Sequence, residues 1–369
     1  MRDAAKSGVV LIASLLVGVG VASPPTGLTV DRQVPSSPPR VVEDDYLAED
    51  VHFPSGRDRL AGTLYRPAGR GPHPAVTCIL GSGPADRAYG GVGPALGKHF
   101  ARRGFACLVW DKPGVGGSTG DYNTQTFRDR AREALSAVAF LRGREGIDRD
   151  RVGLWGHSQG GMVAPLAASL SADVAFLIEV SGWQGPAWRQ DQVRVESELK
   201  ADGFGKEDVA TAAAFSKMRM DLIRRGGTFE DLDSRQAAAA KLPWFDYVHR
   251  CDRSLFDSAR LNVEYDTSAS WEAVRCPVLA IYGDKDTSTG HPDAPIALIR
   301  EGLTKARNRD VTVRVFVGAD HSLCLTGTGG RREAAERAKN RRPGDSPDFA
   351  PGYLEIMTDW LAAKTADRR

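Results

Sequence analysis

Val152-Gly153-Leu154-Trp155-Gly156-His157-Ser158-Gln159-Gly160 is the stretch whose reading decides the fold of this chain. Its last five residues spell G-x-S-x-G. They follow a short apolar run and precede Gly161-Met162-Val163-Ala164, a small-residue segment that reads as a helix start. Strand, tight turn and helix are the context in which this pattern forms a nucleophile elbow. The turn is sharp enough that a Cβ at the flanking positions would clash, so glycine is required there. The serine is thereby pushed out of the sheet edge, where a base can reach its hydroxyl. With 40 glycines in the chain the five-residue pattern alone carries little; its flanks carry the reading. The competing reading is a glycine-rich turn whose serine only caps the next helix.

A serine hydroxyl is a poor nucleophile, so the elbow demands a base and a group that orients it. In the order Ser, acid, His, both partners belong at the ends of later strands. Pro277-Val278-Leu279-Ala280-Ile281-Tyr282 is an unbroken apolar run of strand type that ends at Gly283-Asp284-Lys285-Asp286. Val311-Thr312-Val313-Arg314-Val315-Phe316-Val317 alternates, is rich in β-branched residues and ends at Gly318-Ala319-Asp320-His321. His321 therefore reads as the base. His52, His73, His99, His249 and His291 read as surface or packing residues. For the acid, Asp284 and Asp286 both stand at the right strand end, and Asp284 otherwise reads as a turn former. Glu179, after Phe176-Leu177-Ile178, is an outside candidate whose plainer reading is a strand-end charge in a salt bridge.

The third requirement is a pair of backbone N–H groups aimed where negative charge develops. One belongs to the residue after the nucleophile, Gln159. The other belongs to the loop after the third strand. Ala75-Val76-Thr77-Cys78-Ile79-Leu80 is that strand and Gly81-Ser82-Gly83-Pro84 that loop. Ser82 is assigned as the second donor, with Gly83 as the alternative.

On these residues the chain resembles the α/β-hydrolase superfamily, and within it the bacterial serine esterase-like branch. The resemblance rests on Gly81-Ser82-Gly83-Pro84-Ala85-Asp86-Arg87, on Asp111-Lys112-Pro113-Gly114-Val115-Gly116-Gly117-Ser118, on Gly156 to Gly161, and on Gly352-Tyr353-Leu354 with Trp360-Leu361. It spans residues 49–365 apart from a divergent middle. Pro113 stands where relatives carry arginine. The resemblance implies the fourth position of the Gly-x-x-Asp turn as the acid, which selects Asp286. It also implies a helical cap inserted after the sixth strand, where Gly185 to Ala240 is rich in alanine, charge and helix formers. Trp183, Trp188, Trp244 and Phe245 are then candidate pocket walls; the alternative is that they hold the cap together.

Strand-helix alternation along the rest of the chain independently implies an α/β fold, a mostly parallel central sheet covered by helices on both faces. Residues 48–53 and 60–66 read as an antiparallel hairpin leading into it. Phe127, Ala131, Ala134, Leu135, Val138 and Leu141 recur with helical period. Ligands of such sheets sit beyond the carboxyl ends of the strands, where all the proposed catalytic parts fall. The expected organisation is a signal peptide over 1–22, a Pro-rich linker over 23–47, a catalytic domain over 48–182 and 271–365, and the cap over 183–270. Arg2 and Lys6 precede an apolar run from Val9 to Ala22, too short to span a bilayer at ~20 residues. Gly20-Val21-Ala22 suits cleavage, which leaves no stable membrane span and places the product outside the cytoplasm.

The net charge of +2 arises from 49 basic and 47 acidic residues, a balance that argues against a nucleic-acid partner. Gly93…Gly97-Lys98-His99 misses P-loop spacing, and Gly114-Val115-Gly116-Gly117 lacks the third glycine of the dinucleotide fingerprint. The expected chemistry needs no metal and no cofactor. It is cleavage of a small-molecule carboxylic ester through an acyl-enzyme on Ser158. Amide or thioester cleavage by the same triad is the alternative, and a non-catalytic binding protein on the same fold a further one. Five cysteines leave at least one unpaired within the chain; none has zinc-ligand spacing. Cys78 and Cys107 read as core, Cys251 lies in the insertion, and a Cys276–Cys324 bridge is left open, as is the oligomeric state.

Overall fold

The computed structural model describes residues 41–43, 45–342 and 345–366. The expected signal peptide and most of the expected linker over 23–47 lie outside the described residues; the end of that linker is a correction, since 41–43 and 46–47 are strand paired into the sheet. Nine strands form one sheet: β1 (Val41–Glu43), β2 (Tyr46–Ser55), β3 (Asp58–Pro67), β4 (His73–Ile79), β5 (Ala106–Trp110), β6 (Ile147–His157), β7 (Leu177–Val180), β8 (Val278–Gly283) and β9 (Val311–Phe316). Their spatial order is β1-β2-β3-β5-β4-β6-β7-β8-β9. The β2–β3 hairpin is antiparallel, as its alternating pattern implied, and from β5 to β9 every pairing is parallel. The central strands are buried along their whole length because helices cover both faces.

On one face lie α1 (Val92–Arg102) and α12 (Tyr353–Ala366), which pack Leu96, Phe100, Met357 and Leu361 against Val76, Cys78 and Ile178. On the other lie α2 (Phe127–Arg142), α3 (Gln159–Leu170) and α10 (Asp293–Lys305), with Ala131, Val138, Val163 and Ile299 at the core. α2 begins where its periodicity placed it. Thr126 is the N-cap, and with Asp129 it forms a reciprocal capping box. Pro113 leaves the clamp between the two motif loops intact: Arg87 grips the Asp111 carboxylate with Nε and Nη2, at 3.1 and 2.9 Å.

Between β7 and β8 the chain forms only helices: α4 (Ala187–Ala201), α5 (Lys206–Arg224), α6 (Phe229–Ala239), α7 (Phe245–Val248), α8 (Arg253–Asn262) and α9 (Ser268–Trp271). β7 is the sixth strand counted from the hairpin, so this is the cap at the expected point of insertion. α11 (Arg331–Asn340) follows β9 and flanks the cap. No helix of the described residues is long and apolar enough to cross a membrane. None of the five cysteines is in a disulfide, so the Cys276–Cys324 bridge is not formed.

Candidate functional site

β6 ends at His157 and α3 starts at Gln159, leaving Ser158 alone to turn the chain. Its φ of 58° and ψ of −120° are strained for a residue with a side chain. The flanking glycines are dictated by contact: a Cβ on Gly156 would meet the Gly160 carbonyl at 2.4 Å, and one on Gly160 the Ile79 carbonyl at 1.9 Å. Ser158 Oγ lies 2.9 Å from His321 Nε2, and His321 Nδ1 lies 2.9 Å from Asp286 Oδ2. Asp286 is buried, and its carboxylate also accepts from the Ser288 and Thr289 N–H groups and the Thr289 hydroxyl. Burial pushes this carboxyl up, but the charge of His321 and these hydrogen bonds outweigh it and hold it below the usual carboxylate range. Burial likewise disfavours charge on His321, yet Asp286 prevails and raises the imidazole above its ordinary value. With the carboxylate ionised, Nδ1 carries the hydrogen and Nε2 accepts from the serine hydroxyl.

The other acid candidates are placed elsewhere. Asp284 accepts the Gly318 N–H at 2.6 Å, a turn role. Glu179 is fully buried and accepts the Gly182 N–H. It forms no ion pair among the described residues, and burial pushes its carboxyl well above the usual carboxylate range.

Ser82, Gly83 and Gln159 line one cavity with Ser158 and His321. Gln159 is the first residue of α3, so its N–H has no intrahelical acceptor. The Gly81 loop crosses directly over the serine, since a Cβ on Gly81 would lie 3.3 Å from Ser158 Cβ. Two buried basic side chains hold this loop, and neither was singled out in the sequence; burial and the neighbouring Arg130 push the Lys112 amine well below its ordinary value, and it donates in either protonation state. Lys112 Nζ donates to the Gly81 carbonyl and, at 2.8 Å, to that of Gly83. Arg130 on α2 donates to the Leu80 carbonyl at 2.9 Å and to the Gln159 side chain. A trans peptide points its N–H opposite its carbonyl. Lys112, by fixing the Gly81 carbonyl, therefore fixes the direction of the Ser82 N–H.

A second tie was equally hidden. The Gly81 N–H donates to the Tyr89 hydroxyl at 3.1 Å, and that oxygen lies 3.0 Å from His157 Nδ1. His157 Nε2 lies 3.0 Å from the His321 carbonyl oxygen. A carbonyl only accepts, so Nε2 carries the hydrogen and Nδ1 accepts from Tyr89. Burial and the neighbouring His321 push this imidazole down to about 4, so it stays neutral. Asp86 sets up the tie by accepting the N–H groups of Ala88 and Tyr89. Its traces in the sequence were the Gly-Ser-Gly-Pro-x-Asp-Arg motif and the histidine of the elbow, neither of which shows that they meet.

The aromatic pocket walls are a correction. The cavity encloses about 1410 Å³, and none of Trp183, Trp188, Trp244 and Phe245 lines it. Trp183 belongs to the main core, Trp244 and Phe245 to one cap core, and Trp188 packs against a second. An aromatic residue in a small helical cap contributes most by joining its helices. The cap instead shows the cavity Gln190, Asp191, Arg194, Glu198, Arg219 and His249. His249 is thus a cavity residue and not the surface or packing residue expected.

A family model described as X-Pro dipeptidyl-peptidase (S15 family) matches residues 55–292, more than half of the chain. The chain belongs to that family. Its structure is similar to that of an esterase from Pyrococcus furiosus, with a TM-score of 0.53, 15% identity, and 90% of this chain and 97% of that one covered. Among curated proteins it is 27% identical to the acyltransferase drtE of Aspergillus calidoustus, over 44% of this chain and 54% of that protein. It is 31% identical to the quorum-quenching protein AidA of Acinetobacter baumannii, over 30% of this chain and 36% of that protein. The chain therefore spans about half or less of the length of these relatives. Fold and family agree on the α/β-hydrolase architecture.

Proposed function

We propose that this protein is a serine hydrolase of the esterase-like branch that cleaves carboxylic esters through an acyl-enzyme. His321, oriented by Asp286, takes the proton of Ser158 as its oxygen attacks the ester carbonyl carbon. The N–H groups of Gln159 and Ser82 hold the oxyanion. The alcohol leaves with the proton from His321, and water then attacks the acyl-enzyme by the same route in reverse. The observation that carries this reading is the unbroken relay from Ser158 through His321 to Asp286, with 2.9 Å at each step. A p-nitrophenyl ester chain-length series beside Xaa-Pro and aminoacyl anilides tests it. Ester turnover that disappears in Ser158→Ala, together with labelling of wild type but not the variant by a fluorophosphonate, is the expected result. An unlabelled wild type refutes it in favour of a binding protein.

The family match favours a second reading, cleavage of amides in small peptides. Release of an N-terminal dipeptide requires recognition of a free ammonium. Asp191 and Glu198 on the cap wall are already engaged by Arg194 and Arg219, whereas Asp252 also lines the cavity and pairs with no cation among the described residues; the anilides in the series decide between the two readings. Residues 183–270 are proposed to act as the cap that excludes water from the acyl-enzyme. Residues 1–22 are proposed as an export signal, which N-terminal sequencing of the exported protein tests.

A further inference from the structure

The cap meets the cavity with an ionic wall. Asp191 on α4 lies between Arg194 at 2.8 Å and Arg219 at 2.5 Å, and Glu198 pairs with Arg194 at 2.8 Å. Arg194 also donates to the Tyr247 carbonyl, and Arg219 to those of Val248 and His249. These bonds tie α4, α5 and the end of α7 together, and they account for four of the charged residues as structure.

Arg331 and His249 are left over. The Arg331 guanidinium lines the cavity, donates to the Asp246 carbonyl and lies 5.1 Å from the centre of the Tyr247 ring. Among the described residues no carboxylate lies within ion-pairing distance of it. His249 lines the cavity at a φ of 51°, a strained value for a residue with a side chain. Its ring nitrogens meet no hydrogen-bonding partner among the described residues. Burial, with Arg194 and Arg331 nearby, pushes its imidazole down to about 3, so the ring is neutral and sits in a positive field. Over the whole cavity lining, seven Lys and Arg side chains stand against six Asp and Glu, a surplus of one positive charge. The wall borders the reacting groups: the Glu198 charge is felt at His321, and that of Arg331 at Glu198.

We propose that Arg331, which lines the same cavity as His249, binds a single carboxylate carried by the substrate away from its scissile carbonyl. The substrates are then acyl esters with a free carboxylate. The inference rests on Ser158 being the nucleophile of that same cavity. A planar guanidinium suits a carboxylate in two-point contact. One negative charge neutralises the surplus, whereas a phosphate dianion leaves net negative charge against Glu198 and Asp191. An ammonium meets the wrong sign.

The test compares mono-p-nitrophenyl esters of succinic to suberic acid with the same compounds methylated at the free carboxyl. Wild type is expected to favour the best carboxylate ester over its methylated partner by about tenfold or more in kcat/KM, the value of one charged hydrogen-bonded contact. Arg331→Gln is expected to abolish that preference, leave the methylated ester little changed, and leave fluorophosphonate labelling of Ser158 unaltered. Arg331→Lys is expected to restore part of it. A wild type without preference, or a labelled Arg331→Gln that keeps it, overturns the proposal while the ester reading survives. Cleavage of neither ester, with no labelling, overturns both. Should Arg331→Gln not fold, the wild-type preference and competition by the free dicarboxylate at low but not high salt decide the matter; absence of either overturns the proposal.

Discussion

Lys112 Nζ donates to the carbonyl oxygen of Gly81, in the loop that crosses Ser158. Lys112 is buried and meets a second carbonyl, that of Gly83, at 2.8 Å. Its role is to hold one peptide plane, and through that plane the proposed Ser82 donor. Lys112→Met should lower kcat for p-nitrophenyl acetate by about 100-fold, the effect of misplacing one oxyanion donor, with KM nearly unchanged. Thermal melting checks that the variant folds. A folded variant with kcat within about threefold of wild type would show that the loop holds itself.

Asp286 and His321 shift each other in opposite directions, so the pH profile has a sign. His321 acts as a base only when neutral, and Asp286 raises its affinity for protons. Activity is thus complete at high pH and lost as pH falls through a value above that of an ordinary histidine. Asp286→Asn removes the raising charge, which moves the acid limb of kcat/KM to lower pH, and should reduce kcat by about 10⁴-fold. An acid limb that stays in place would disconnect this carboxylate from the titrating group.

Ser158 occupies a left-handed conformation that suits glycine. Ser158→Ala and Ser158→Gly both delete the hydroxyl and its bond to His321, but only glycine relieves the backbone. Ser158→Gly should therefore be more stable to urea than Ser158→Ala by about 1 kcal/mol. Equal stabilities would mean that the turn carries no strain.

Trp244 is buried in the cap core against Phe215 and Phe245, with ring centroids 5.6 and 6.4 Å apart. Trp244→Ala should cost about 3–5 kcal/mol of stability, read as earlier unfolding and as proteolysis within residues 187–271. Ester chain-length preference of the surviving enzyme should not change. An altered preference without loss of stability would return Trp244 to the cavity wall.

The elbow, the succession of strands along the chain and the candidates Ser158 and His321 were legible because each rests on a local pattern. Apolar runs make strands, a 3.6-residue period makes α2, and glycines at fixed offsets make a sharp turn. The choice between Asp284 and Asp286 was not local. The two residues share one turn, yet one bonds the Gly318 N–H and the other His321. The cap aromatics were misplaced because hydrophobicity indicates that a side chain is buried, not what it is buried against. Tyr89 and Arg130 carry no signature, since their partners lie in other elements, and His249 owes its place on the cavity to the fold of the cap.

By itself the sequence determined which segments become strands and helices and which strand ends bear a hydroxyl, a carboxyl and an imidazole. Those properties depend on neighbours a few residues away. Only the tertiary structure decided which groups meet. Ser158 and His321 are 163 residues apart in the chain, and Lys112 and Gly81 are 31. A hydrogen bond depends on fractions of an ångström and on direction, and those are set by the packing of the whole sheet and its cap.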